Sequence, residues 1–111
     1  MKTEQPILIT SITAGADLSA SKNLFIRFNG TVCGLGIKPL GVLAADTNNG
    51  EQAPIACAGI ALVLSSAALS QGDKVQSDAN GKAMTFAAGE PAGYSLDTAL
   101  GADELIRVLL I

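Results

Sequence analysis

A chain of 111 residues and 11.2 kDa, 49% of it apolar, is sized for one domain with one modest core that buries roughly 65% of its unfolded surface. With no Trp, one Tyr and three Phe, that core must come from Ile, Leu, Val and Ala. Seven basic and ten acidic residues without a basic stripe exclude nucleic acid as a direct partner, and the absence of His removes the commonest general base and metal ligand.

In chain order, residues 1–6 are polar, contain Lys2, Glu4 and Pro6, and read as a flexible N-terminal arm. Ala14-Gly15-Ala16 is similar to a signal-peptidase site, but the mixed polar segment before it lacks an apolar h-region, so no signal peptide is expected. Ile7-Leu8-Ile9-Thr10-Ser11-Ile12-Thr13 is β-branched and reads as a first strand. Leu24-Phe25-Ile26-Arg27-Phe28 reads as a second, turned at Asn29-Gly30 into Thr31-Val32-Cys33. Cys33 and Cys57 lie in apolar surroundings without CxxC spacing. They read as two buried thiols, with a disulfide left open.

Pro39-Leu40-Gly41-Val42-Leu43-Ala44 is a short strand, and residues 46–50 form a polar loop. From Ile55 to Leu64, Ile60, Leu62 and Leu64 alternate on one parity while Ile55 and Cys57 hold the other, so a bulge at Gly59 is needed to put them on one face. Residues 52–72 carry no charge over a length that would cross a bilayer. Against a membrane span, the run is dominated by Ala, Ser and Gly, includes Pro54, and lacks flanking cations and aromatic anchors. A helical turn is expected within residues 65–70. Residues 71–83 then form the strongest local signal, a strand, an Asn80-Gly81 turn and a returning strand, with both turn residues suited to positive φ. Residues 87–93 are a loop, a helical lead-in is open at 102–105, and residues 105–111 read as a final buried strand. Gly41-Val42-Leu43-Ala44 before one apolar run is echoed by Gly93-Tyr94-Ser95-Leu96 before another, as if two hairpin-like units shared the domain. The expected fold is mainly β, a small single-domain β-barrel or β-sandwich over residues 7–111 with hairpins and at most one or two short helical turns.

Catalytic constellations are missing. The chain has no triad His, no GxSxG, no Walker loop and no cysteine cluster, so it is not read as an enzyme and no cofactor, metal or small-molecule substrate is expected. Asp73 and Asp78 read as turn caps. Asp46, Asn48, Asn49 and Glu51 offer oxygen ligands without EF-hand spacing. Gly34-Leu35-Gly36 reads as a turn, not a dinucleotide loop. Phe25 and Phe28, three apart, point to opposite strand faces, which leaves one of them for a subunit contact, assigned to Phe25. Tyr94 is expected as a half-buried ring beside Pro91, its hydroxyl free for a partner.

The order Pro39-Leu40-Gly41-Val42, Gly50-Glu51, Gly59-Ile60, Gln71-Gly72-Asp73-Lys74-Val75 with Asp78, Asn80-Gly81 and Lys82, then Gly93-Tyr94-Ser95-Leu96-Asp97 and Val108-Leu109-Leu110 resembles the small capsid cement or decoration proteins of tailed bacteriophages. This family was once known only as a prophage domain of unknown function. The resemblance covers about residues 37–111. It implies a β-rich, non-catalytic virion protein assembled in the host cytoplasm. Such a protein binds the outer surface of the expanded capsid and cements the major capsid protein, with itself as a further partner in a homotrimer, a dimer or a monomer. It also implies an extended terminus reaching across the shell, so capsid or subunit contacts are expected at Lys2, Thr3, Glu4, Gln5, Pro6, Phe25, Asn48, Asn49, Glu90 and Tyr94. A receptor- or glycan-binding β-barrel module is the alternative, poorly supplied with exposed aromatic residues. A membrane-inserted, holin-like protein using residues 52–72 is a third reading.

Overall fold

The computed structural model describes residues 3–111, which form eight strands and no helix: β1 (Gln5–Thr13), β2 (Phe25–Ile26), β3 (Gly41–Leu43), β4 (Gln52–Leu64), β5 (Lys74–Ser77), β6 (Ala83–Thr85), β7 (Gly93–Ser95) and β8 (Leu105–Leu110). The sheet runs β2-β3-β4-β8-β7-β5-β6, every named strand pair in it antiparallel, and β1 pairs with β4 off this path. The two ends of the path curl toward one another. Phe25 N–H donates to Gly81 O (2.8 Å), and Ser66 N–H donates to Ala83 O (2.8 Å) beside a parallel bridge from Ser65 to Ala83. The result is a nearly closed barrel, as the hairpin signals and β-branched runs anticipate.

The uncharged run at 52–72 is this barrel's longest strand and the turn after it, and among the described residues no helix is long and apolar enough to cross a bilayer. The expected helical turn at 65–70 is absent. Ser65 and Leu69 instead form isolated bridges with Ala83 and Ala99 on either side of a bend at Ser66 and Ala67. The lead-in at 102–105 is also not helical, and Asp103 turns there at φ 61°.

Two apolar clusters fill the molecule. The larger, inside the barrel, includes Phe25, Val42, Ala56, Ala61, Val63, Val75, Ile106 and Val108. The smaller contains Ala14, Leu18, Ile26, Leu43, Ala53 and Ile55. Phe25 and Ile26, Val42 and Leu43, and Ala56 and Ile55 therefore divide between the two, because successive strand side chains point to opposite faces. Along β4 the larger cluster receives Ala56 but then Ala61 and Val63, an even-to-odd change that requires one inserted residue. The β1–β4 register slips on either side of Leu8, and Gly59 takes φ 92°. The bulge expected at Gly59 is thus present. It puts Ile60, Leu62 and Leu64 on the same face as Ile55 and Cys57. A Cβ on Gly59 would come within 2.6 Å of both Gln5 O and Ile7 N, so glycine is what lets β1 approach.

Both Asn-Gly turns form, with a correction to their geometry. Gly30 (φ 84°) and Gly81 (φ 78°) adopt positive φ, but Asn29 and Asn80 do not. Gly81 N–H donates to Asp78 O and Asp78 N–H to Lys82 O, while Gly30 N–H donates to Arg27 O and Arg27 N–H to Thr31 O. Each is therefore a three-residue loop with glycine in the bulge position, not a two-residue turn. The Asp78 carboxylate accepts from the N–H groups of Asn80 and Lys82 (2.8 Å each), and Asp73 accepts from Ser70 N–H (2.9 Å), so both aspartates cap turns as expected. The internal echo has a structural counterpart, since β3 pairs with β4 and β7 with β8. In both units the leading glycine, Gly41 or Gly93, lies against a carbonyl of its partner strand where a Cβ has no room. Cys33 and Cys57 are free thiols, and burial pushes the Cys33 thiol up.

Candidate functional site

Among the described residues no three His, Cys, Asp or Glu side chains gather as a metal site, so the surface itself is the candidate. Its most exposed strand is β1. Ile7, Leu8 and Ile9 are 84%, 55% and 51% exposed, although they are consecutive aliphatics in a paired strand. β1 pairs with β4 alone, which leaves its second edge without a strand partner among the described residues. The segment from Gln5 to Ala16 carries no charge, so nothing in its composition repels an apolar or neutral partner.

A second exposed apolar surface lies on the outward face of β4, β8 and β7. Gln5, Ile60, Leu109, Tyr94 and Lys74 are successive cross-strand partners. Leu62 pairs with Arg107 and Leu64 with Leu105 in the neighbouring rows. Leu105, Leu109 and Tyr94 are about two-fifths exposed. Arg107 is fixed within this face by a bidentate pair with Asp97 (2.9 and 3.1 Å), and Asp97 also accepts the Arg107 backbone N–H. Lys74 lies 5.0 Å from the ring centroid of Phe86.

The predicted contact residues fare unequally. Lys2 lies outside the described residues. Thr3 and Glu4 are exposed, while Gln5 and Pro6, the last two residues of the predicted arm, already belong to β1, opposite Ile60 and Gly59. Phe25 must be withdrawn as a contact, being fully buried in the barrel interior. Phe28 at the turn is the exposed member of the pair, at 68%. Asn48 and Asn49 are exposed in a loop tied to the first strand's end by Gly50 N–H to Ala14 O and Ala14 N–H to Glu51 O. Glu90 is exposed in another loop, its N–H donating to Gly36 O (2.9 Å). Gln5 and Tyr94 thus meet in one row of the sheet, whereas Asn48, Asn49 and Glu90 lie against other segments.

Sequence reasoning missed Ile7, Leu8 and Ile9 as surface residues, although the signal was there: three consecutive aliphatics cannot all face one side of a strand. It also missed Gln76, buried on β5, whose side-chain carbonyl accepts from Ala87 and Ala88 N–H (2.8 and 3.1 Å) and so fixes the loop that carries Glu90.

No curated protein matches the sequence. The fold is similar to a solved structure, the head fiber gp8.5 N base of bacteriophage phi29, with a TM-score of 0.76 and 16% identity over 94% of this chain and 95% of that one. The profile of the phage cement protein family matches residues 2–110, nearly the whole chain, and the protein belongs to that family.

Proposed function

We propose that this protein is a non-enzymatic cement that binds the outer surface of a phage head and stabilises contacts between major capsid subunits, acting as a homotrimer. Family membership supports a structural, capsid-associated role in a phage. The observation that carries the finer reading is β1, an uncharged strand with one edge unpaired among the described residues and three exposed aliphatic residues. An edge of this kind adds a strand from, or to, a partner through main-chain hydrogen bonds, and its aliphatic side chains supply the apolar contact. Each contact is modest. Repeated copies on a lattice, linked as trimers, raise the cost of parting the shell through effective concentration.

Binding to expanded heads that lack the protein, measured by sedimentation, tests this. Deleting residues 1–6, or changing Leu8→Lys, is expected to leave the barrel folded and lower occupancy at a fixed protein concentration. Unchanged occupancy in both variants would move the contact to the loops at 46–51 and 87–92.

A further inference from the structure

The barrel has another surface whose chemistry the fold leaves unanswered, at the end built from the turn after β2 and the loop at 34–38. The Arg27 guanidinium lies over Gly34, where a Cβ would come within 2.6 Å of its Nη2 and 3.3 Å of Ile37 Cδ1. Glycine at position 34 makes room for that cation. Arg27 Nε is buried and has no hydrogen-bond partner, and neither Arg27 nor the nearby Lys38 takes part in an ion pair among the described residues. Among the described residues Lys38 Nζ donates only to Pro39 O (3.3 Å). Glu90 stands beside this loop through its backbone, yet its carboxylate pairs with neither cation. In a chain with ten acidic and seven basic residues, two cations at one end with no ion pair among the described residues are an uneven placement. Ile37 lies with Arg27 about Gly34, and Phe28 and Leu35 are the chain neighbours of Arg27 and Gly34; all three apolar side chains are exposed, Phe28 at 68%, Leu35 at 62% and Ile37 at 39%.

We propose that this end receives a carboxylate-bearing, apolar chain segment of the shell, with Arg27 clamping the carboxylate and Phe28, Leu35 and Ile37 covering the apolar side chains beside it. The guanidinium is a planar fork matched to a carboxylate, and an Arg beside an aromatic ring is the composition that dominates interface energetics. A partly desolvated cation without a counter-charge is costly in the free protein, and a partner carboxylate removes that cost. A free anion would use Arg27 and leave three apolar side chains in water. A nucleic acid would need a longer basic surface than two residues provide.

The inference rests on the capsid-binding reading, and one experiment separates the two. Binding of wild type, Arg27→Gln, Arg27→Lys and Phe28→Ala to undecorated heads is measured at low and high salt, alongside melting and sedimentation of the free proteins. Arg27→Gln is expected to weaken binding about tenfold or more and to reduce its salt dependence, with Arg27→Lys recovering only part because it lacks the fork. Phe28→Ala is expected to cost about tenfold while leaving the melting temperature unchanged. Wild type that binds heads, with both Arg27→Gln and Phe28→Ala binding equally well, overturns this inference alone. A shift in the sedimentation of free Arg27→Gln also overturns it, since the contact would then lie between copies of the protein. Wild type that fails to bind heads overturns the capsid-binding reading and this inference with it.

Discussion

β1 and β8 are both aliphatic strands laid antiparallel on β4, and both meet it at Ile60. Their fates differ. In β8, Ile106 and Val108 are fully buried and alternate with outward-facing Leu105, Arg107 and Leu109, because β7 closes the far side and the barrel curls over the inner face. β1 has no second strand neighbour among the described residues, its Ile7, Leu8 and Ile9 are exposed, and none of its residues reaches full burial. A run of aliphatic residues thus specifies a strand but not a core strand. Closure on the second edge decides how much apolar area leaves water.

The largest expected effect is a test of that difference in stability. Ile106→Ala is expected to destabilise the protein by about 3 kcal/mol, the usual cost of emptying an aliphatic site in a packed core. Ile9→Ala, a similar truncation on β1, is expected to change stability by less than about 0.5 kcal/mol. Urea denaturation of the two variants measures both. Comparable losses would mean that β1 is buried in the working state of the free protein, and the contrast drawn above would fail.

A smaller effect sharpens the comparison at the seam where the barrel closes without β1. Gly81 has positive φ, and a side chain there would meet Val32 Cγ1 at 2.7 Å and Phe25 O at 3.0 Å. Gly81→Val is therefore expected to cost about 2 kcal/mol or more through backbone strain and a forced opening between β2 and the β5–β6 turn. Lys82→Ala, one residue on, should stay close to wild type because that side chain is trimmed at the surface. Equal melting temperatures for these two variants would contradict the closure at Gly81.

These contrasts also mark what was legible in the sequence. The two Asn-Gly turns and the bulge at Gly59 were readable because each depends on a local requirement, a glycine at positive φ or a change of parity. That Asn29 and Asn80 keep negative φ was not readable, since the same dipeptide serves two-residue and three-residue loops. β7 is only three residues long, and Gly93 looked like the end of a loop until its pairing with β8 and β5 was in view. The choice between Phe25 and Phe28 needed the barrel, because a strand pattern says that they face opposite ways but not which way is inward. Arg27 gave no sequence signal at all. Its meaning comes from Gly34 beneath it, from its buried Nε without a partner and from the lack of an ion pair to it among the described residues.

The smallest expected effect separates β1 from the barrel by charge. Lys82 Nζ donates to Asp103 Oδ1 at 2.5 Å, tying the β5–β6 turn to the turn before β8, and this hydrogen bond raises the lysine above its ordinary value. A cation raised in the folded state stabilises fully below its unfolded value, and that contribution fades as pH rises through the folded value. The wild-type advantage over Lys82→Ala should therefore be small, present at neutral pH, reduced by added salt and lost in the alkaline range above the ordinary lysine value. β1 has no charged residue between Gln5 and Thr13, so the deficit of Ile9→Ala should stay flat across the same pH and salt range. Urea midpoints of wild type, Lys82→Ala and Ile9→Ala followed from neutral to alkaline pH at two salt concentrations measure this. A Lys82→Ala difference that persists unchanged at high pH would remove the ion pair as its cause, and an Ile9→Ala deficit that varies with salt would show that β1 is held by charge as well as by backbone pairing.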